Sequence, residues 1–327
     1  MVVLLMNTFM RDLRLAVCGI KNYITNSPLC ASFEITYRCN ALCQHCHLHH
    51  VQDKELASPE HYAEICHRLK PVVAQISGGE PLLRRDLLDI IRKIKNSNGT
   101  PFIVLTTNGV LLTKEKYEQL IDAGVDEISL SLDYPDKRHD DFRSVPGLFN
   151  KIVNLLSDLG AKNGKAITVS CVVQRNNYKD LIGIAEFAHK WGINANFSTY
   201  TWLRTNDKSL SIPKDEIFLL KEIIEQLISY KKKYKNIRAS DYVLRKIPEF
   251  FENENIGDCR AGERFLIINP DGTMSPCGLV LGEYRSKKEL HKKFSNNNTC
   301  GDCYTSIRAN TEKPWYYHIK DNINFFQ

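Results

Sequence analysis

Between residues 30 and about 200, short strand-forming runs alternate with helix-forming segments, and that alternation restricts the fold more than any other feature. Ser32–Thr36, Ala74–Ser77, Phe102–Thr106, Glu127–Leu132, Ile167–Val173 and Asn196–Tyr200 are apolar or β-branched and bounded by Gly, Asn, Asp or Pro, the signature of strands. Helices are predicted between them at 58–70, 85–97, 113–123, 147–160 and 178–191. The first opens on Ser58-Pro59-Glu60, an N-cap followed by proline in the first helical position. Gly124, Gly160 and Gly192 stand where three of the helices should stop. Such alternation means parallel strands joined by helical crossovers, in an α/β fold. An open doubly wound sheet and a barrel satisfy the pattern equally.

The flanks read differently. Leu4, Leu5, Phe9, Leu13 and Ala16 recur at helical spacing, so residues 3–22 are predicted to form an amphipathic helix. It packs on its own domain, with contact to a membrane surface as the alternative. The N-terminus lacks a basic stretch before its apolar residues and does not read as a signal peptide. No run approaches 18 apolar residues, so no membrane span is expected, and the chain is read as cytoplasmic. Beyond residue 210 a long helix is predicted over Ile212–Tyr234, then a second at 240–254. Phe265–Asn269 and Met274–Pro276 flank Pro270-Asp271-Gly272-Thr273, a hairpin turn. Four parts are expected: 1–29, a helical extension; 30–210, the core; 211–255, connecting helices; 256–327, a small cysteine-bearing domain. The net charge is 44 − 38 = +6, too small and too dispersed to argue nucleic-acid binding by itself.

Eleven cysteines are an odd number, which a complete set of disulfides would not use up. In a reducing compartment, clustered cysteines bind metal or do chemistry. Cys39, Cys43 and Cys46 form a CxxxCxxC motif directly after the first strand. Three thiolates leave a tetrahedral zinc site one ligand short, and His45, His47, His49 or His50 is near enough in sequence to supply it. The same thiolates can instead hold three irons of a 4Fe–4S cluster, leaving the fourth iron open to an outside ligand. Polar motifs end the next strands: Gly78-Gly79-Glu80-Pro81, Thr107-Asn108-Gly109, then Ser129-Leu130-Ser131-Leu132-Asp133. Paired glycines let a ligand approach the backbone, and a carboxylate beside them accepts bonds from an ammonium group. Alternation puts Ser129, Ser131 and Asp133 on one face. The carboxyl ends of parallel strands are where α/β enzymes build their sites.

In this order and placement the motifs resemble the radical S-adenosylmethionine (SAM) superfamily, over roughly residues 30–205. The resemblance implies a partial (β/α)6 TIM-type barrel, with a 4Fe–4S cluster on Cys39, Cys43 and Cys46 at its mouth. SAM would chelate the open iron through its amino and carboxylate groups. Glu80 and the backbone of Gly78 and Gly79 would serve the amino group, with Asn108 on the same rim. Ser131 and Asp133 would face the ribose. His45 occupies the position where the family usually carries an aromatic ring near the adenine. The family's glycine-rich segment near the sixth strand is not recognisable in Gly192–Tyr200. The implied chemistry is reductive cleavage of SAM to a 5′-deoxyadenosyl radical that takes hydrogen from a substrate C–H bond. A flavodoxin or ferredoxin would supply the electron.

Cys259 and Cys277 span the predicted hairpin, and Cys300-Gly301-Asp302-Cys303 follows. This set resembles the twitch domain, the shortened relative of the SPASM domain, which carries an auxiliary cluster. No cysteine follows Cys303, so one auxiliary 4Fe–4S cluster is expected rather than two. Spacing alone leaves a Zn(Cys)4 site or a redox disulfide open. Four protein ligands leave no open iron, which suits electron transfer during oxidation or rearrangement of a substrate. Cys18, Cys30, Cys66 and Cys171 have no partner pattern and read as small buried hydrophobes. Tyr200, Trp202 and Arg204 follow the sixth strand and line a pocket or serve packing and surface charge. Arg264, near Cys259, tunes that site or makes a salt bridge. Trp315, Tyr316 and Tyr317 form a lid or a packing patch. The expected substrate is a small molecule rather than a peptide, because no winged peptide-binding segment is recognised before Cys39. Two alternatives stand: a maturase acting on a ribosomal peptide, and a non-catalytic metal-binding module on nucleic acid, whose binding would be salt-sensitive.

Overall fold

The computed structural model describes residues 2–46, 48–97 and 101–317. Helix α1 (Val2–Ile24) leads into strand β1 (Cys30–Glu34). The core then runs α2 (Pro59–Leu69), β2 (Val73–Ser77), α3 (Leu87–Lys95), β3 (Phe102–Thr107), α4 (Lys114–Ala123), β4 (Glu127–Ser131), α5 (Arg138–Arg143), α6 (Leu148–Asn163), β5 (Ile167–Val173), α7 (Leu181–Lys190) and β6 (Asn194–Thr199). All six predicted strands form, within two residues of their expected ends. Ser58 accepts from the backbone of His61 as α2's N-cap, and Gly124 caps α4 with φ +113°. Gly160 (φ +66°, ψ 159°) breaks the helical geometry inside α6 instead of ending it, and the helix resumes to Asn163.

Strand order decides between barrel and doubly wound sheet. The sheet reads β6-β5-β4-β3-β2-β1, each neighbour parallel, with no reversal of order. A doubly wound sheet reverses order at a switch point, which lets helices cover both faces. Without a reversal, right-handed crossovers put every helix on one side. The opposite face can only curl into a bore, as in a partial TIM barrel. Burial follows the pleat: β2, β3 and β4 alternate half-buried and fully buried residues. Ala74, Ile76, Ile103, Leu105, Ile128 and Leu130 point outward into the helices and are fully buried. Gln75, Ser77, Thr106, Ser129 and Ser131 point into the bore. Where a complete TIM barrel fills its interior with branched side chains, this one leaves a cavity of roughly 1130 Å³: the strands put small polar side chains into it, while Leu15, Ile20, Leu29, Val72 and Ile307 make much of the rest of its wall apolar.

The C-terminal part adds α8 (Ile217–Tyr234), α9 (Asp241–Asn253), β7 (Phe265–Ile268), β8 (Met274–Ser275), α10 (Lys287–Lys293) and α11 (Ser306–Glu312). One 3-10 turn over Lys214–Glu216 separates Pro213 from α8, so the α-helix starts later than predicted. The predicted hairpin forms as β7–β8, and β7 also pairs parallel with β1. The sheet is therefore continuous, eight strands long, across the boundary expected at residue 256. No ladder joins β6 to β8 among the described residues. The chain around α11 spans that gap: Thr199 Oγ1 donates to the Tyr304 carbonyl (2.9 Å) and the Ser306 amide to Ser198 Oγ (3.0 Å). At the amino end of the barrel, Asn22 Nδ2 donates to the carbonyls of Pro28 and Lys70, docking α1. Ala16 and Ile20 border the cavity, but both are exposed, as are Leu13, Val17 and Ile24, so this stretch of the helix does not pack its apolar face as expected; the side chains of Leu4, Leu5 and Phe9 lie outside the described residues. No described helix is long and apolar enough to cross a membrane.

Candidate functional site

The cysteine loop leaves β1 at Ile35 and is tied down from four directions. Asp53 accepts from Thr36 Oγ1 and the Tyr37 amide, both at 2.6 Å. The Gly79 amide donates to the Thr36 carbonyl and the Glu80 amide to the Arg38 carbonyl, both at 2.8 Å. Asn108 Nδ2 donates to Asn40 Oδ1 (2.7 Å) and lies 3.8 Å from Cys39 Sγ. From α5, the Phe142 carbonyl accepts from Gln44 and Ser144 Oγ donates to the Leu42 carbonyl. Cys39, Cys43 and Cys46 are thereby held on the wall of the bore, at the carboxyl ends of β1–β3. The paired glycines serve this loop. A Cβ on Gly78 would overlap the Thr36 carbonyl oxygen, and one on Gly79 the carbonyl oxygens of Arg38 and Tyr37. The close approach they allow is protein backbone on protein backbone.

Two of the expected ligand-facing carboxylates face inward instead. Glu80 is fully buried and accepts from the Leu82 amide, Thr107 Oγ1 and the Asn108 amide at 2.8–3.0 Å. Burial pushes its carboxyl up, against those bonds. Asp133 is also fully buried and takes Nε and Nη2 of Arg143 at 2.7 and 2.6 Å, plus the Val172 amide at 3.0 Å. Burial alone would raise its pKa; Arg143 foremost holds it below the usual carboxylate range. Neither side chain lines the cavity, whereas Ser131, Asn108, Gly78, Gly79 and His45 do. His45 stacks on Phe142, ring centroids 5.1 Å apart and 11° from parallel, and its buried Nδ1 has no partner. Burial and then Arg143 push its pKa down to about 4, so the ring is a neutral, flat surface in the wall.

Arg143 escaped the sequence reading. It ends α5, whose six residues show no apolar period to announce a helix. The guanidinium lines the bore and reaches Cys43 Sγ at 3.6 Å while Asp133 anchors it from behind. Arg204, singled out with Tyr200 and Trp202, is the one of the three that reaches the cavity. Tyr200 donates to the Asp207 carbonyl in a small core, and Trp202 stacks on Phe250.

The second cysteine set gathers beside β7. Cys259, Cys277 and Cys300 pack together with Phe265 and Cys30, and Cys303 is buried next to them. The Cys259 amide donates to the Cys300 carbonyl at 2.9 Å, and the Val280 amide points at Cys277 Sγ at 3.3 Å. Arg308, 1% exposed, clamps the loops by donating to the carbonyls of Cys303 (2.7 Å) and Gly257 (2.6 Å), with Glu312 as its counter-charge. Among the described residues Arg264 makes no salt bridge of the expected kind; it lies over the Tyr23 ring at 4.0 Å and donates to the Thr311 carbonyl. Burial pushes the thiols of Cys39, Cys43, Cys259, Cys277 and Cys303 up, the last to about 11. Such thiols stay neutral until a bound cationic centre draws off their protons. Cys30, Cys66 and Cys171 are buried as expected, and Cys18 is half buried.

The family model described as the radical SAM superfamily matches residues 33–188. These residues are a radical SAM domain. The probable GTP 3′,8-cyclase of Methanococcus aeolicus is 38% identical over 168 residues, 49% of this chain and 55% of that protein. The PqqA peptide cyclase of Granulibacter bethesdensis is 27% identical over 270 residues, 76% of this chain and 67% of that one. The chain spans about half the length of the first curated relatives it matches, 55% and 49%. The crystal structure of Streptococcus suis SuiB bound to S-adenosylmethionine shares the fold, with TM-score 0.64 at 19% identity over 90% of this chain and 68% of that one. That likeness reaches well beyond the radical SAM domain. In this domain the residues missed by sequence reasoning, Arg143 above all, come from a short element between strands 4 and 5 rather than from strand ends.

Proposed function

We propose that the protein is a radical SAM enzyme carrying two 4Fe–4S clusters, one open to SAM on Cys39, Cys43 and Cys46, and one closed on Cys259, Cys277, Cys300 and Cys303. The observation that carries this reading is a rim of three pinned thiols on a deep bore into which the strands put polar side chains, inside a domain of this family. Among the described residues, no three His, Cys, Asp or Glu side chains converge on a site for a single metal ion. Three cysteines at the first set leave one position of a metal centre open, and four at the second close it.

When bound, the reduced open cluster supplies the electron that splits SAM into methionine and a 5′-deoxyadenosyl radical. The chain's own part is to hold and to exclude. Arg143 is the cation for the carboxylate of SAM, fixed by Asp133 so that it cannot turn away. Asn108 and Ser131 offer hydrogen bonds along the same wall, and His45 offers a flat face to the adenine. Glu80 acts from behind by fixing the Thr107–Asn108 corner. The hydroxyls of Ser129, Ser170 and Ser198 suit a polar substrate lower in the bore. The strap around α11 keeps water and oxygen from the open side. A closed second cluster suits electron exchange with the substrate, and so an oxidation or rearrangement.

A small polar molecule is the first reading of the substrate. A peptide is the second, favoured by the breadth of the match to the PqqA peptide cyclase, which takes in 76% of this chain. Anaerobic protein with reconstituted iron, given SAM and dithionite, is expected to form 5′-deoxyadenosine, and Cys43→Ala to form none. Iron-loaded wild type that leaves SAM intact would overturn the proposal.

A further inference from the structure

Arg204 sits between the two cysteine sets. Its Nη1 lies 3.9 Å from Cys46 Sγ, while its Nε donates at 2.7 Å to the carbonyl of Gly278, the residue after Cys277. The residue is in a turn after β6, 158 positions from Cys46 and 74 from Gly278. Its remaining neighbour of opposite sign is Glu34 on β1, with Nη2 and Oε1 3.6 Å apart. That is long for a buried pair, and Glu34 Oε2 has no partner. Burial also disfavours the ionised form of Glu34. Among the described residues the guanidinium therefore has no carboxylate closer than Glu34, and it faces thiol sulfur on one side and a cysteine loop on the other. Arg143 and Arg308 differ in this respect, since each has a carboxylate within 3 Å.

We propose that Arg204 is a positioning residue shared by both clusters: one cation, held in fixed geometry, that stabilises the added electron on each. The proposal rests on the two-cluster reading above. A guanidinium is the suitable group, because it stays charged and its planar fork addresses two directions at once. A cluster with thiolate ligands gains negative charge on reduction, so a nearby fixed cation raises its potential.

The test is a potentiometric titration followed by EPR on the anaerobic, iron-loaded full chain. Arg204→Gln is expected to lower the reduced-to-oxidised ratio of both clusters about tenfold at a given potential, about 59 mV for a one-electron couple. Arg204→Lys keeps the charge and is expected to restore most of both shifts. Lys208→Gln, four residues on and exposed, removes a charge from the same segment and is expected to move neither. Loss of iron from both sites in Arg204→Gln, restored in Arg204→Lys, would equally support a shared cation. A shift or iron loss at one cluster alone, or no shift at either, overturns it. Zinc in the C-terminal site of the wild type would remove the two-cluster reading itself, and the proposal with it. Two iron clusters with unmoved potentials would remove the proposal alone.

Discussion

Gly79→Ala is expected to empty the first iron site while leaving the fold standing. The added methyl meets the carbonyl oxygens of Arg38 and Tyr37, which are backbone atoms and cannot rotate aside. Relief requires the loop to move away from β2, breaking the Gly79–Thr36 and Glu80–Arg38 hydrogen bonds. Cys39 is the next residue along that loop. Iron should fall from about eight to about four per chain, by the stoichiometry of two cubanes, and SAM cleavage should vanish. Helix content should persist, because the sheet and its outer helices do not depend on the loop. Gly19→Ala is the control, since its Cβ meets nothing nearer than Val72 at 3.9 Å. Full iron in Gly79→Ala would show that the loop tolerates displacement and that its backbone packing does not hold the site.

Asp133→Asn is expected to destabilise the chain strongly. The carboxylate is fully buried, and it neutralises Arg143, whose own side chain is almost as deep. Removing one member leaves an uncompensated buried charge, which costs about 3–5 kcal/mol. The midpoint of urea unfolding should fall accordingly. The double variant Asp133→Asn with Arg143→Met should recover much of that loss, because a removed pair costs less than a broken one. The single variant should also weaken SAM binding, since an unanchored Arg143 no longer points into the bore. A residue whose only task is to contact the ribose would leave the unfolding midpoint unchanged, so the two roles separate in one experiment.

The contrast between Glu80 and Asp133 as expected and as found marks how far sequence could reach. The strands were legible because β-branched runs bounded by glycine and asparagine have few other uses, and their alternation correctly set Ser129 and Ser131 toward the bore. Asp133 lies two residues past the end of β4, where the pleat no longer dictates direction. What turned it was Arg143, in a helix too short to show a period. Gly78 and Gly79 were rightly marked as a place of close approach, but the approaching group is the chain itself. The pairing of β7 with β1 joins residues more than 200 apart in sequence, and nothing in a local pattern encodes such a neighbour. Arg204 shows the same limit: its position after β6 made it a pocket candidate, while its contacts with both cysteine sets exist only in three dimensions.

The most direct test of two clusters, one open and one closed, is EPR of the dithionite-reduced protein before and after SAM is added. One cluster signal is expected to change, because SAM becomes a ligand to the iron that Cys39, Cys43 and Cys46 leave open. The other, enclosed by four cysteines, is expected to stay as it was. The Cys43→Ala protein should show only the unresponsive signal. Two signals that both respond to SAM, or a reduced protein in which neither does, would contradict the account.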